Sequence, residues 1–112
     1  MARYVPDRGD IVWFRFDPQA GQEQAGRRPV LVLSPALYNR RASLALVCPI
    51  TSHVKGYPFE VPLPKGLPAG GVVLADHVKS ADWQVRRARL AGKVTESVLA
   101  EVTAKLRPLL GM

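Results

Sequence analysis

The sequence contains very little cysteine and histidine. Cys48 is the single cysteine, so the chain cannot form an internal disulfide and nothing points to an oxidising compartment. The two histidines, His53 and His77, lie apart and are not spaced as zinc ligands. We therefore predict no metal site and no cofactor.

Long hydrophobic runs are also missing. No apolar stretch approaches the roughly 20 residues that span a bilayer, and the first residues lack the pattern of a signal peptide. A chain of 112 residues is typical of one domain. We expect a single-domain cytoplasmic protein that does not enter a membrane.

Acidic residues are scarce relative to basic ones. Nine Asp and Glu stand against sixteen Lys and Arg, which gives a net charge of +7. A small domain this basic favours polyanions, which include nucleic acid, an anionic membrane surface and an acidic protein segment. Charge alone does not choose among these partners.

Most of the chain has the pattern of short β-strands between Gly/Pro turns. Stretches rich in β-branched, aromatic or continuous apolar residues predict strands, at 10–16, 30–33, 43–50, 58–63, 72–75 and 85–90. Polar stretches at 18–26 and 51–57 predict loops, 64–71 predicts a turn, and 37–41 predicts a connector with a short helical turn. Pro49 cannot donate to a ladder, so we expect an edge or a break there.

The last part of the chain changes to helical periodicity. Thr95 is a suitable N-cap with Glu96 in the first turn, and Pro108 should end the regular helix at about Leu106. One apolar stripe follows the helix, formed by Val98, Leu99, Val102, Leu106, Leu109 and Leu110. The pattern predicts a mainly β protein with a C-terminal helix, built on a small, strongly bent antiparallel sheet or barrel.

Two polar loops carry the residues suited to chemistry. The first holds Glu23, Arg27 and Arg28, and the second holds Thr51, His53 and Lys55 beside Ser52. Binding groups commonly lie on loops that a rigid scaffold positions.

These residues belong to a series of motifs that spans nearly the whole chain. The series comprises Y-V-P-D-x-G-D at 4–10, F-D-P at 16–18, E-Q-A-G-x-R-P at 23–29, V-L-S-P at 32–35, Y-N at 38–39, K-G-Y-P-F-E-V at 55–61 and L-A-D-x-V-K-S at 74–80. In this series the chain resembles the MazF/PemK toxins of bacterial toxin–antitoxin systems, and their MazF branch in particular. It departs most at 63–71 and in the C-terminal helix.

The resemblance implies a fold, an activity and a catalytic set. The fold would be a small SH3-like barrel of the CcdB/PemK type, and the protein would be a homodimer that cleaves single-stranded RNA at a short, ACA-containing sequence without a metal. The family's catalytic arginine maps onto Arg28, its threonine onto Thr51 and its loop glutamate onto Glu23.

The chemistry of these side chains agrees with the mapping. Metal-independent RNA cleavage proceeds by attack of the 2′-hydroxyl on phosphorus, and a guanidinium such as Arg28 offers paired donors to the oxygens that gain charge. Thr51 can donate to the same phosphate. Glu23 has the type of a general base but would need a raised pKa, whereas His53 has a better ordinary pKa and lies outside the matched motifs.

A second set of residues is predicted to contact RNA through stacking, base edges or phosphates. Its members are Arg27, Tyr38, Asn39, His53, Lys55, Tyr57, Asp76, Lys79 and Arg86. The cluster of Arg86, Arg87 and Arg89 is either a solvated face or a phosphate track. Trp13 and Trp83 are expected in the core or at a dimer interface, and Cys48 in the core.

The charge and the resemblance together predict a partner. A harmful basic toxin should be held by an acidic antitoxin with a disordered tail that folds on binding, here a MazE-like protein. Two other functions remain compatible with the sequence: a CcdB-like inhibitor of a protein target such as gyrase, and a non-catalytic RNA-binding module.

Overall fold

The computed structural model describes residues 4–16 and 26–112. Within these ranges the chain forms seven strands, two α-helices and one 3-10 turn at Ala75–His77. The strands are β1 (Asp10–Phe16), β2 (Gly26–Val32), β3 (Ala45–Thr51), β4 (Glu60–Pro62), β5 (Val72–Leu74), β6 (Lys79–Ala81) and β7 (Arg89–Lys93). The helices are α1 (Ala36–Ala42) and α2 (Glu96–Leu109).

All described strands pair antiparallel in one strongly bent sheet. The order is β4-β5-β3-β2-β1-β7, and β6 also pairs with β3. Along β3, residues Ala45 to Val47 pair with β6, whereas Ile50 and Thr51 pair with β5. The change of partner falls beside Pro49, which has no N–H to donate. The strand itself continues to Thr51, so the predicted break affects the pairing and not the strand.

The core consists of two apolar clusters, one on each face of β1, β2 and β3. Ile11 and Leu31 belong to the cluster that α2 covers with Val98, Leu99, Val102 and Leu106. Val12, Phe14 and Val30 belong to the other cluster, which Trp83 closes. The continuous apolar run of β2 is therefore buried on both faces, as its pattern predicts. Cys48 and Trp83 are core residues, as expected.

Helix α2 begins as predicted and ends later than predicted. The Thr95 side chain accepts a hydrogen bond from the Val98 N–H at 3.4 Å. The helix continues through Pro108 to Leu109, because the N–H of Leu110 still reaches the carbonyl of Leu106 at 3.1 Å in an exposed last turn. Leu109 and Leu110 are exposed, so the buried stripe stops at Leu106.

The predicted strand at 85–90 is wrong in its first part. The Asp82 carboxylate accepts N–H groups from Gln84 at 3.1 Å and Val85 at 3.0 Å, which folds residues 82–88 into a turn. Arg87 has a left-handed backbone with φ 52°. The strand starts only at Arg89, and the short strand β6 before the turn was not predicted.

Smaller differences concern the ends of elements. Strand β3 starts at Ala45, because Ser43 is left-handed with φ 58° and ends α1. Thr51 is the last residue of β3, and Gly26 already belongs to β2, so neither lies in its predicted loop. No helix of residues 4–16 and 26–112 is both long and apolar enough to cross a membrane.

Candidate active site

Arg28 and Thr51 line one open cleft of about 360 Å³. They come from different strands, and the sheet register explains their meeting. Val30 on β2 pairs with Pro49 on β3. Because the two strands are antiparallel, the same register places Arg28 opposite Thr51. The cleft is also lined by Trp13, Pro29, Ile50, Ser52, Pro68, Ala69 and Gly70. The structure therefore brings together two of the three residues predicted to be catalytic.

A cationic cluster surrounds the Phe16 ring at the same end of β1 and β2. The Cζ atoms of Arg86 and Arg28 lie 4.6 Å and 5.9 Å from the ring centroid, and Lys79 Nζ lies 5.7 Å from it. The Phe16 ring packs in turn against Phe14, with 6.4 Å between centroids. Each such cation–π contact stabilises by about 0.5–1 kcal/mol at an exposed site. This Phe16 cluster positions Arg28 and raises the local positive potential.

Thr51 is held by its own loop and by a close backbone contact. Its Oγ1 accepts the N–H of His53 at 3.1 Å, which leaves the hydroxyl hydrogen to donate elsewhere. Gly71 has φ 103°, and a Cβ at this position would lie 2.0 Å from the Thr51 carbonyl oxygen. Only glycine fits this approach, so Gly71 positions Thr51.

A second cleft of about 360 Å³ shares Thr51 with the first. His53, Lys55 and Tyr57 line it together with Glu60, Leu74 and His77. Lys55 Nζ lies 5.7 Å from the centroid of the exposed Tyr57 ring. Three of the residues predicted to contact RNA are thus gathered on one wall beside Thr51.

The loop that carries this wall is organised by Glu60. The buried carboxylate accepts the N–H of Lys55 at 3.1 Å and of Gly56 at 2.9 Å. Lys105 Nζ also donates to the Pro58 carbonyl at 2.5 Å. Sequence reasoning predicted the strand at 58–63 but assigned Glu60 no role. The signal was its place inside the motif that contains Lys55 and Tyr57.

The other residues predicted to contact RNA fall at different places. Lys79 and Arg86 are in the Phe16 cluster. Asp76 is exposed, and its Oδ1 lies 3.9 Å from His77 Nε2 at the second cleft. Tyr38 is exposed on α1 and lines neither of the two clefts.

Asn39 is a correction, because its side chain is fully buried. Its Nδ2 donates to the carbonyls of Pro6 at 2.7 Å and Ser34 at 3.0 Å, and its Oδ1 accepts the Ser34 hydroxyl at 2.6 Å. Both donors and the acceptor are used inside the protein, so the predicted contact with RNA is wrong. Through these hydrogen bonds Asn39 links the N-terminal segment to the residues that precede α1.

Glu23 lies outside the described residues, and Arg27 lines a separate cleft together with three other arginines. Burial raises the pKa of the Cys48 thiol to about 12, which keeps it protonated in the core. Of the residues that the structure describes, no three His, Cys, Asp or Glu side chains are grouped as metal ligands.

Together, the bent sheet, the cleft of Arg28 and Thr51 and the Phe16 cluster define a small β protein with a surface suited to polyanions. The chain belongs to the PemK-like, MazF-like toxins of type II toxin–antitoxin systems, whose family model matches residues 7–110. The resemblance seen in the sequence motifs is therefore confirmed.

Individual relatives are similar over their whole length. The endoribonuclease toxin MazF of Escherichia coli strain K12 is 49% identical over 111 residues, which is 99% of both chains. A MazF structure from Deinococcus radiodurans has 59% identity and a TM-score of 0.87, with 98% of this chain and 100% of that chain covered. A MazE-MazF structure from the same organism has 58% identity and a TM-score of 0.90, with 97% and 99% covered. The predicted fold class is confirmed by these neighbours.

Proposed function

We propose that this protein is an endoribonuclease toxin that cleaves single-stranded RNA at a short sequence. The observation that carries the proposal is the shared cleft of Arg28 and Thr51, next to the cationic Phe16 cluster. The similarity to relatives that are named endoribonucleases supports it, among them MazF and PemK of Escherichia coli. The net charge of +7 suits a polyanionic substrate.

In the proposed reaction the 2′-oxygen of one nucleotide attacks the adjacent phosphorus. The base takes the 2′-hydroxyl proton, the new O–P bond forms as the bond to the 5′-oxygen breaks, and water gives a proton to the departing oxygen. The products are a 2′,3′-cyclic phosphate and a 5′-hydroxyl. Arg28 donates to the non-bridging oxygens as they gain charge, and Thr51 donates its hydroxyl hydrogen to the same phosphate. Glu23 is the proposed base, with His53 as a contributor from the adjoining cleft.

Base recognition is assigned to the wall of the second cleft. Tyr57 presents an exposed ring for stacking, and Lys55 and His53 lie beside it with hydrogen-bonding groups. RNA enters single-stranded, because the bases must be splayed to be read and the 2′-hydroxyl must align with the departing oxygen. An ACA-containing site is the sequence we expect.

The proposed assembly is a cytoplasmic homodimer that a MazE-like acidic antitoxin neutralises. Related toxins are known in MazE-MazF structures from Deinococcus radiodurans. An acidic, flexible segment over the clefts would oppose the positive charge and block RNA. A gyrase-type protein target or a non-catalytic RNA-binding role is less favoured, since the curated relatives are named endoribonucleases.

The test replaces Arg28 and follows cleavage of a long RNA in the presence of EDTA. We expect Arg28→Ala to lower the cleavage rate by at least about 100-fold, the size seen when one donor to a transition state is removed. Arg28→Lys should recover only part of the rate, because an ammonium lacks the paired donors.

Arg107→Ala is the matched control, since Arg107 is exposed in the last turn of α2 and should leave the rate unchanged. Full activity in a folded Arg28→Ala protein would refute the role of Arg28. RNA binding by the wild type without cuts would favour the binding module, and neither binding nor cuts would favour a protein target.

A further inference from the structure

A separate cleft of about 490 Å³ is lined by four arginines. We call it the arginine cleft, and its walls are Arg15, Arg27, Arg87 and Arg89 with Gly26. It lies beside the predicted active site on the sheet of β1, β2 and β7. Arg27 was predicted to contact RNA, the sequence left Arg87 and Arg89 open between a solvated face and a phosphate track, and the proposed reaction uses none of the four arginines.

The sheet register makes the arginines converge. Arg15 pairs with Arg27 across β1 and β2, and their side chains lie on the same face of the sheet as Trp13, two residues earlier in β1. Arg89 on β7 pairs with Trp13, which places it in the adjacent row of that face.

The fourth arginine is placed by the turn before β7. Arg87 adopts a left-handed backbone, and its N–H donates to the Gln84 carbonyl at 3.0 Å. The N–H of Arg15 donates to the Arg86 carbonyl at 2.7 Å, which ties the turn to β1. As a result of this turn, the Arg86 side chain lies over the Phe16 ring and the Arg87 side chain lines the arginine cleft. The left-handed Arg87 adds one more charge to the cleft.

Within residues 4–16 and 26–112, no carboxylate forms an ion pair with the arginines of the cleft. Across the described parts of the chain, the ion pairs are Lys93 with Asp10 and His77 with Asp76, and neither involves these arginines. Four like charges repel one another, so an anion that binds among them relieves the repulsion. One phosphodiester would neutralise a single guanidinium charge, whereas a run of phosphates matches several.

Trp13 connects the arginine cleft with the cleft of Arg28 and Thr51. It pairs with Arg89 on one side and with Pro29 on the other, and it lines the active-site cleft together with Pro29. The indole is half-buried, so part of it remains available to a base. A strand that leaves the active-site cleft would pass over Trp13 into the arginine cleft.

We propose that the arginine cleft binds the phosphates of single-stranded RNA that flanks the cut site, with Trp13 as a stacking platform on the way. This inference rests on the proposed ribonuclease function. It assigns Arg15, Arg87 and Arg89 to substrate binding, and it predicts that the protein recognises a longer RNA than the bases it reads. Trp13 then contacts RNA in addition to packing.

The test compares two lengths of single-stranded RNA. One covers only the mapped cut site, and the other extends it on both sides; both carry a 2′-deoxy nucleotide at the attacking position, so they bind without being cut. If no cut site is found, random-sequence RNA of the same two lengths is used. Affinity is measured by fluorescence anisotropy at several salt concentrations.

The double variant Arg15→Gln/Arg89→Gln should bind the long RNA about tenfold more weakly and the short RNA as the wild type does. The slope of log affinity against log salt should fall by about 0.7 for each phosphate of the single strand that the variant no longer neutralises. The matched control is Arg40→Gln/Arg41→Gln, which removes the same charge from exposed positions on α1 and should keep both affinities.

Equal losses for both lengths, an equal loss in the control, or no loss would each overturn the proposal. Weaker binding to poly-glutamate with RNA binding intact would assign the cleft to an acidic protein partner and would also overturn it. If the wild type binds the long RNA more tightly than the short RNA but cuts neither of them nor their unmodified forms, the ribonuclease function is refuted. The proposal that the arginine cleft binds RNA is then retained.

Discussion

Glu60 is the clearest case of a single residue that shapes a cleft through the backbone of a loop. Its carboxylate receives two backbone N–H groups from the loop that presents Lys55 and Tyr57. Hydrogen bonds to charged acceptors contribute more than neutral ones, about 1.5–3 kcal/mol each. The shape of the second cleft therefore depends on this one side chain.

We predict that Glu60→Gln raises KM for RNA several-fold and leaves kcat nearly unchanged. The amide keeps one acceptor oxygen and loses the charge, so one N–H of the loop loses its partner, while Arg28 and Thr51 stay in place. Steady-state cleavage of a short RNA measures both constants. Glu101→Gln, on the exposed face of α2, is the control. A fall in kcat with KM unchanged would contradict the assignment.

At the residue scale, side-chain chemistry and the resemblance predicted Arg28 and Thr51, and these two do share a cleft. The same reasoning failed for Asn39, because an asparagine in a motif gives no sign of whether its amide is consumed internally. Phe16 stood out in the sequence only as part of a motif. Its role as the ring under three cations depends on strands that are distant in sequence.

At the scale of elements, the start of β5 packs directly against the end of β3. Gly71 precedes β5, and its missing side chain lets the chain pass close to the Thr51 carbonyl. The pairing of Thr51 with Val72 follows from that approach. The position of the Thr51 hydroxyl is thus coupled to a turn twenty residues later in the sequence.

We expect Gly71→Ala to destabilise the protein by about 1–3 kcal/mol or more, because it combines a left-handed backbone with a steric clash. Displacement of Thr51 should lower cleavage at the same time. Gly70→Ala is the stability control, since a Cβ at Gly70 meets nothing within 4 Å. Denaturant unfolding measures the change. If Gly71→Ala and Gly70→Ala are equally stable, the backbone before β5 accommodates a Cβ at position 71 and the prediction is contradicted.

Strand and helix patterns predicted most elements, but not the turn before β7. The residues from Val85 to Ala88 have a strand-like composition. They form a turn instead, because the Asp82 carboxylate accepts hydrogen bonds from the N–H groups of Gln84 and Val85. Strand β4 lies within the strand predicted at 58–63, whereas the three-residue strand β6 is too short for a period to show. The pairing of β6 with β3, rather than its own composition, makes it a strand.

At the scale of the whole molecule, three titrating groups with raised pKa values link stability to alkaline pH. Burial and the hydrogen bond to Asp10 raise the pKa of Tyr4, and the hydrogen bond to Asp10 raises the pKa of Lys93. Burial raises the pKa of Cys48 from 9.0 to about 12. Each folded-state pKa exceeds the unfolded value, so each contribution is complete at neutral pH and is lost as pH rises.

The free energy of unfolding should therefore fall from about pH 9 upward, beginning with Cys48. Between its unfolded and folded pKa values, Cys48 changes the stability by up to about 1.4 kcal/mol per pH unit. Denaturant titrations from pH 7 to pH 10.5 are the measurement. Cys48→Ala should reduce the slope between about pH 9 and pH 10. A stability that stays level or rises across this range would contradict the coupling.

The sequence by itself predicted the mainly β fold class, the C-terminal helix and the basic character, and the resemblance implied the roles of Arg28 and Thr51. The first three follow from local periodicity and composition, which depend on neighbouring residues. The tertiary structure decided which side chains meet. Register across β1, β2, β3 and β7 brings Arg28 beside Thr51 and places Arg15, Arg27 and Arg89 on one face of the sheet, where the turn before β7 adds Arg87. Such contacts join residues far apart in the chain, so no local pattern contains them.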